Sequence, residues 1–277
     1  VKELMGVDKF DTVIVAYGEK FPDALTGSSL AAALDAPILL TDKKVDAQTA
    51  AYIKTNLAEG GTVVILGGEA AVSAEFAAMV GEFNVVRLYG KTRYETNLAI
   101  LSSLDIAAGA EILVATGKNY ADSLSASATG LPMLLVDSKL TAEQKAFLSG
   151  INAKFTILGG EAAVSEDVAA ELAAYGEVVR VKGPSRYETS VAIAERYFGA
   201  PSAAVLAYGE AFPDGLCGGP LAYLIGAPLL LTHNDKLAAA DAYVADVIFG
   251  YVTGGTARLT DATVQEIFDA TYEVIVK

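Results

Sequence analysis

The sequence predicts an α/β protein made of three tandem units, each a small Rossmann-like three-layer domain with a parallel sheet. Three observations carry this. The motif Gly18-Glu19-Lys20-Phe21-Pro22-Asp23 returns as Gly117-Lys118-Asn119-Tyr120-Ala121-Asp122 and as Gly209-Glu210-Ala211-Phe212-Pro213-Asp214. Each copy follows a short apolar run and opens a stretch of small and apolar residues, which ends at Pro37, Pro132 or Pro228 and a second apolar run. The apolar runs are continuous and not alternating, as strands covered on both faces require. A recurrence at roughly 90–100 residues is too long for a solenoid unit and marks a tandem domain repeat. The units are set at residues 1–90, 91–183 and 184–277.

In the first unit, residues 12–17 are β-branched and read as a buried strand ending at Gly18. Residues 23–35 read as a helix with Asp23 as its N-cap, stopped by Pro37. Residues 38–41 form a second strand, 46–58 a helix led by Asp46, and 61–66 a third strand closing on Gly67-Gly68. Ser73 opens a helix over 73–81, and residues 84–88 form a fourth strand. Arg93-Tyr94-Glu95-Thr96 starts a helix running to about Leu104. Strand-helix alternation of this kind folds as a parallel sheet with right-handed crossovers.

The second unit repeats the order, with strands at 111–116, 132–136, 154–158 and 178–181 and a second Arg186-Tyr187-Glu188-Thr189. Asp122 to Pro132 spans 10 positions, against 14 for Asp23 to Pro37 and for Asp214 to Pro228, so its first helix should be one turn shorter. The third unit has strands at 203–208, 228–232 and 248–253, and Tyr272-Glu273-Val274-Ile275-Val276 matches the fourth. No Pro/Ser-rich linker separates the units, so they should pack together.

Composition narrows function. The 277 residues carry a formal charge of −14, which argues against general nucleic-acid binding. Hydrophobic residues make up 53%, yet no apolar run approaches the ~20 residues of a membrane span. The chain therefore reads as soluble and globular. Cys217 is the single cysteine and has no disulfide partner within the chain. The start, Val1-Lys2-Glu3-Leu4, reads as that of a mature or trimmed fragment.

Asp23, Asp122 and Asp214 stand at the carboxyl end of a first strand, where open α/β sheets bind ligands. They read as helix N-caps or as metal or acid/base carboxylates. Glu19 and Glu210 could pair with two of them, but Lys118 stands in the second copy, which weakens a threefold metal site. Cys217 takes the slot of Thr26 and Ser125 and reads as a core residue; His233, the only histidine, reads as a solvated loop residue. A catalytic triad or structural zinc is improbable on that inventory, and no cofactor is implied. The pairs Gly67-Gly68, Gly159-Gly160 and Gly254-Gly255 either offer amides to an anion or allow a tight turn. Arg87, Lys91 and Arg93 crowd within seven residues, as do Arg180, Lys182 and Arg186. Arg93 and Arg186 start helices, where the dipole disfavours an unpaired cation. Each should meet a carboxylate at a unit interface or an anionic polymer.

Four motifs together resemble the cell wall binding repeat 2 family of Gram-positive surface proteins. They are Arg-Tyr-Glu-Thr (93–96, 186–189), Gly-Glu-x-Phe-Pro-Asp (18–23, 209–214), Ala-Pro-x-Leu-Leu (36–40, 227–231) and Leu-Gly-Gly-Glu-Ala-Ala-Val-Ser (66–73, 158–165). The resemblance implies three Rossmann- or Toprim-like modules packed as a pseudo-threefold trimer within one monomeric chain. It implies a non-catalytic, extracellular anchor at the bacterial cell wall surface that holds an anionic, teichoic-acid-like glycopolymer. Arg87, Lys91, Arg93, Arg180, Lys182 and Arg186 would make the polymer contacts. The rival expectations are a Toprim-like metal-dependent phosphotransfer or hydrolase site at Glu19/Asp23 and Glu210/Asp214, and an adhesive domain without polymer binding.

Overall fold

In the computed structural model, which describes residues 2–42, 46–244 and 247–268, the apolar runs pair into three wholly parallel sheets. The first unit runs α1 (Lys2–Met5), β1 (Phe10–Tyr17), α2 (Phe21–Ala33), β2 (Ile38–Thr41), α3 (Ala47–Asn56), β3 (Leu57–Leu66), α4 (Ala74–Met79) and β4 (Asn84–Leu88). Its strand order is β2-β1-β3-β4, with Ile14 opposite Ile38 on one side and Val64 on the other.

The second unit runs α5 (Arg93–Ser102), β5 (Glu111–Thr116), α6 (Ala121–Ala126), a 3-10 turn (Ser127–Thr129), β6 (Met133–Val136), α7 (Ala142–Leu148), β7 (Ala153–Leu158), α8 (Glu166–Leu172) and β8 (Gly176–Val181). Its order, β6-β5-β7-β8, is the same. The third runs α9 (Arg186–Tyr197), β9 (Ala203–Tyr208), α10 (Pro213–Leu224), β10 (Leu229–Thr232), α11 (Ala238–Tyr243), β11 (Phe249–Thr253) and α12 (Asp261–Phe268), in the order β10-β9-β11. The fourth strand expected at 272–276 lies outside the described residues.

The central strand of each sheet is covered on both faces, and its two faces feed different cores, whereas the edge strands β4, β8 and β11 are partly exposed. Ile14 and Ala16 of β1 point into a cluster shared by all three units, with Leu25, Leu124, Val205, Leu216 and Tyr187. Val13 and Val15, the alternate residues, pack with Ile53 and Phe76 in a core belonging to the first unit alone. Ile112 and Phe155 anchor the matching outer core of the second unit, and Leu206 and Val264 that of the third. A continuous apolar run is therefore two interleaved faces, one local and one central.

The local rules hold at most helix ends. Asp46 accepts the amide protons of Gln48 and Thr49, and Ser73 and Ser165 accept those of Phe76 and Val168. In the third unit Thr260 keeps this role towards Thr263, although its block has lost the Glu-Ala-Ala-Val-Ser wording. Helix α6 with its 3-10 turn is four residues shorter than the 13-residue α2, about the one turn that the spacing predicts. Two expectations fail. Strand β3 starts at Leu57, four residues early, where the chain leaves α3 and pairs Leu57 with Phe10. And Asp23, Asp122 and Asp214 are not N-caps. Each lies inside the first turn, and the cap positions Lys20, Tyr120 and Phe212 make no side-chain cap bond. In α2 and α10 a proline sits in the first two positions, where its fixed φ and missing N–H suit helix initiation. The aspartates still face the positive end of the helix dipole.

Candidate functional site

The strand order reverses between the first and third strands of each unit. The crevice outside their carboxyl ends is where such sheets bind ligands. In the first unit this crevice gathers Asp23 from α2, the Gly67-Gly68 turn after β3, and the loop from Gly90 to Arg93. The carboxylate of Asp23 lies against the α-carbon of Gly67, so that a β-carbon on that glycine would collide with it. Asp122 fills the same space beside Gly159, and Asp214 beside Gly254. These glycines also hold φ of +91°, +86° and +101°, which L side chains rarely adopt.

Both readings of the paired glycines are decided in part. The amides of Gly67 and Gly159 donate within the sheet, to the carbonyls of Leu88 at 2.9 Å and Val181 at 2.8 Å. They are committed to the fold and not to an anion. The second glycines are different: Gly160 and Gly255 have open space where a β-carbon would stand.

Among the described residues no hydrogen bond holds the carboxylates of Asp23 and Asp122. Burial pushes both carboxyls above the ordinary range. Arg93 and Lys20 pull Asp23 back down, and Arg186 does so for Asp122. A half-buried carboxylate without a donor is an acceptor in waiting.

The six basic residues divide by role. Arg87 donates to the carbonyl of Gly67 at 2.8 Å and Arg180 to that of Gly159 at 3.0 Å, so both clasp the glycine turn. Arg180 also meets Glu166 at 2.8 Å. Burial lowers the pKa of Arg87. Arg93 donates to the carbonyl of Gly117 and lies over the Phe21 ring; Arg186 donates to the carbonyl of Gly209 at 2.6 Å and to the hydroxyl of Tyr120 at 3.2 Å, over the Tyr120 ring. Their direct contacts are carbonyls, a hydroxyl and aromatic faces, and the carboxylates of Asp23 and Asp122 feel their charge without a direct ion pair. A guanidinium fork serves both contacts at once, which offsets the unfavourable helix start. Lys91 and Lys182 are exposed, the latter 3.5 Å from Glu161. Lys91 and Arg93 join Asp23 and Lys20 in the first cleft. The equivalent cleft of the second unit is lined by Lys118, Asn119, Asp122, Asp137 and Glu161, and Arg180, Lys182 and Arg186 do not line it.

One feature of the repeated motif went unread in the sequence. Phe21, Tyr120 and Phe212 meet ring to ring, with centroids 5.5–5.8 Å apart for every pair. They mark the pseudo-threefold axis. An aromatic at the same place in all three copies was the available signal.

The remaining candidates are accounted for. Glu19 accepts the hydroxyl of Tyr17 at 2.6 Å, and Glu210 that of Tyr187 at 3.1 Å, so neither pairs with an aspartate. Among the described residues no three His, Cys, Asp or Glu side chains converge on a metal position. His233 sits at a turn, half-buried, beside the Tyr208 ring. Cys217 is exposed and not core; its apolar surroundings and the Asp214 charge push its thiol up to about 11. No helix among the described residues is long and apolar enough to cross a membrane.

A family described as cell wall binding domain 2 matches the chain at residues 2–77, 87–169 and 180–264. Two Bacillus subtilis proteins are 28% identical to it: the N-acetylmuramoyl-L-alanine amidase LytC over 82% of this chain and 46% of its own length, and the amidase enhancer over 83% and 32%. Among solved structures, Cwp8 from Clostridium difficile superposes with a TM-score of 0.84 at 25% identity, covering 95% of this chain and 48% of that one. Cwp6 from the same organism gives 0.83 at 24% identity, covering 94% and 44%, and shows the fold. The chain thus spans about half or less of the length of each of these relatives.

Proposed function

Because the chain belongs to the cell wall binding domain 2 family, we propose that its three repeats act as one wall-binding module that holds an anionic glycopolymer at the bacterial surface without catalysis. The observation that carries the polymer reading is the first cleft, where an unpartnered carboxylate, Asp23, stands within a rim of Lys20, Lys91 and Arg93. Such a pairing suits a sugar chain bearing phosphate or carboxylate groups. The Asp accepts sugar hydroxyls, and the ammonium and guanidinium groups meet the anion. A cleft of about 250 Å³ is close to the lower end of the ligand-pocket range of about 300–1,000 Å³, as one or two sugar units would need. Weak contacts at several clefts gain by avidity on a repeating polymer.

We set the unit boundaries at 1–90, 91–183 and 184–277, because α5 packs on β6 and α7 and α9 packs on β10 and α11. Each Arg-Tyr helix goes with the unit that follows it. Of the six basic residues, Lys91 and Lys182 are the exposed pair, so their replacement should leave the fold intact. Arg87, Arg93, Arg180 and Arg186 bind through whatever charge their structural bonds leave facing solvent.

The test is co-sedimentation with intact walls and with walls stripped of secondary polymer, over a salt series. Binding should need the polymer, weaken with salt, and fall several-fold in a Lys91→Glu/Lys182→Glu chain whose melting temperature is unchanged. Equal binding to stripped walls would remove the glycopolymer from this reading.

A further inference from the structure

The third unit departs from the other two at the rim of its crevice, and each departure moves the charge the same way. The block after β11 reads Gly254-Gly255-Thr256-Ala257-Arg258. Thr256 stands where the first two units have Glu69 and Glu161, and Arg258 where they have Ala71 and Ala163. His233 follows β10 where Asp42 and Asp137 follow β2 and β6. Two carboxylates are lost and one guanidinium is gained. These are cleft positions. Asp137, Glu161 and Ala163 line the cleft of the second unit, together with Thr116, whose place in the sheet Tyr208 takes in the third.

The fold gathers the replacements on one ring. Arg258 lies over Tyr208, 5.5 Å from its ring centroid, and the His233 ring stands 5.3 Å from the same centroid. Asn234 holds the two loops together. It donates to the Arg258 carbonyl at 3.0 Å and accepts the amide proton of Thr260 at 3.2 Å and the hydroxyl of Thr263 at 2.7 Å. The amide of Asp235 donates to Nδ1 of His233 at 3.1 Å, so a neutral His233 carries its proton on Nε2, as a donor. Arg258 is exposed, and a guanidinium over an aromatic ring keeps N–H donors for a second partner.

Three carboxylates stand nearby. Glu210 accepts the Tyr187 hydroxyl at 3.1 Å and lies 4.0 Å from Lys236, which offsets its charge. Asp235 is 3.8 Å from His233, but 87% of its side chain is exposed and solvent screens it. Asp214 lies against Gly254 as Asp23 lies against Gly67, an acceptor for a sugar hydroxyl.

We propose that Arg258 and His233, set over Tyr208, form an oxyanion subsite of the third unit that takes a phosphate or carboxylate group. That this group belongs to a polymer rests on the wall-binding reading above; the subsite rests on these residues alone.

His233 is the only histidine, so its ring signals in NMR spectra of the full chain report this site. Glucose 1-phosphate and glucuronate are titrated in at constant pH and ionic strength, with glucose as the neutral control. At least one anion should move the His233 signals saturably, the two arms telling phosphate from carboxylate, and glucose should not. Arg258→Ala, at an exposed position, should raise the Kd at least about tenfold, the worth of one charged hydrogen bond. Thr256→Glu, which returns the charge of the other two units, should weaken binding as well, and Lys91→Glu/Lys182→Glu should leave it unchanged. Signals unmoved by both anions, equal shifts with glucose, or an Arg258→Ala chain that binds like the parent would overturn the subsite. Co-sedimentation stays a separate readout. A chain that needs the polymer to sediment but shows no His233 response loses only the subsite, and one that responds at His233 but ignores the polymer loses only the glycopolymer reading.

Discussion

Arg186→Ala should cost the protein stability out of proportion to its surface position. The guanidinium donates to the Gly209 carbonyl at 2.6 Å and to the Tyr120 hydroxyl at 3.2 Å, and its carbon lies 5.6 Å from the Tyr120 ring centroid. A hydrogen bond from a charged donor contributes about 1.5–3 kcal/mol, reduced here by partial exposure. The cation–π contact adds about 0.5–1 kcal/mol. A loss of about 2–3 kcal/mol is expected, and at about 2–4 °C per kcal/mol this lowers the melting temperature by about 4–12 °C. Arg186→Lys keeps the charge but not the planar fork, so it should recover less than half. Lys91→Ala, at an exposed site, should stay within about 0.5 kcal/mol. Thermal unfolding followed by circular dichroism reads all three. If Arg186→Ala melted within a degree of the parent, or if Lys91→Ala fell as far, the arginine would not be stapling the junction.

Gly159→Ala must place a methyl group against Asp122 at a φ of +86°, whereas Gly160→Ala meets nothing within 4 Å. Urea unfolding should show a loss of about 1–3 kcal/mol for the first and almost none for the second. Gly219→Ala in α10 would gain about 1 kcal/mol of helix propensity at an open site. Its methyl meets Ser127, so it should destabilise instead, and Ser127→Gly should restore much of the loss in a double-mutant cycle. Burial raises the Asp122 carboxyl above its unfolded value of about 3.9. The stability this group contributes is fully present below the unfolded pKa and is lost as pH rises through the folded one. Asp122→Asn cannot ionise, so its melting temperature should gain on the parent between pH 3.5 and pH 7; a constant gap would mean the carboxyl does not titrate in that window.

The repeat, the strands, the glycine turns and most caps were legible because each depends on neighbours in sequence. Ser73 caps Phe76 three residues on, and the lost turn of α6 is a count of positions. The family resemblance rested on those same motifs, and the match over all three segments bears it out. The aspartates misled because an Asp before an alanine-rich run looks the same whether it caps the helix or packs against a glycine turn. The partner that distinguishes the two is Gly67 for Asp23, far along the chain.

By itself the sequence determined three α/β units with parallel sheets, since continuous apolar runs between helices leave few other solutions. Only the tertiary structure decided what joins them. Phe21, Tyr120 and Phe212 touch one another, and Arg93 over the Phe21 ring and Arg186 over the Tyr120 ring each tie one unit to the next, because the closed arrangement brings together residues far apart along the chain. The aromatics recur at one motif position, but nothing in that recurrence says that they touch. The contacts exist only once one face of each sheet has been buried in a core that no single unit contains.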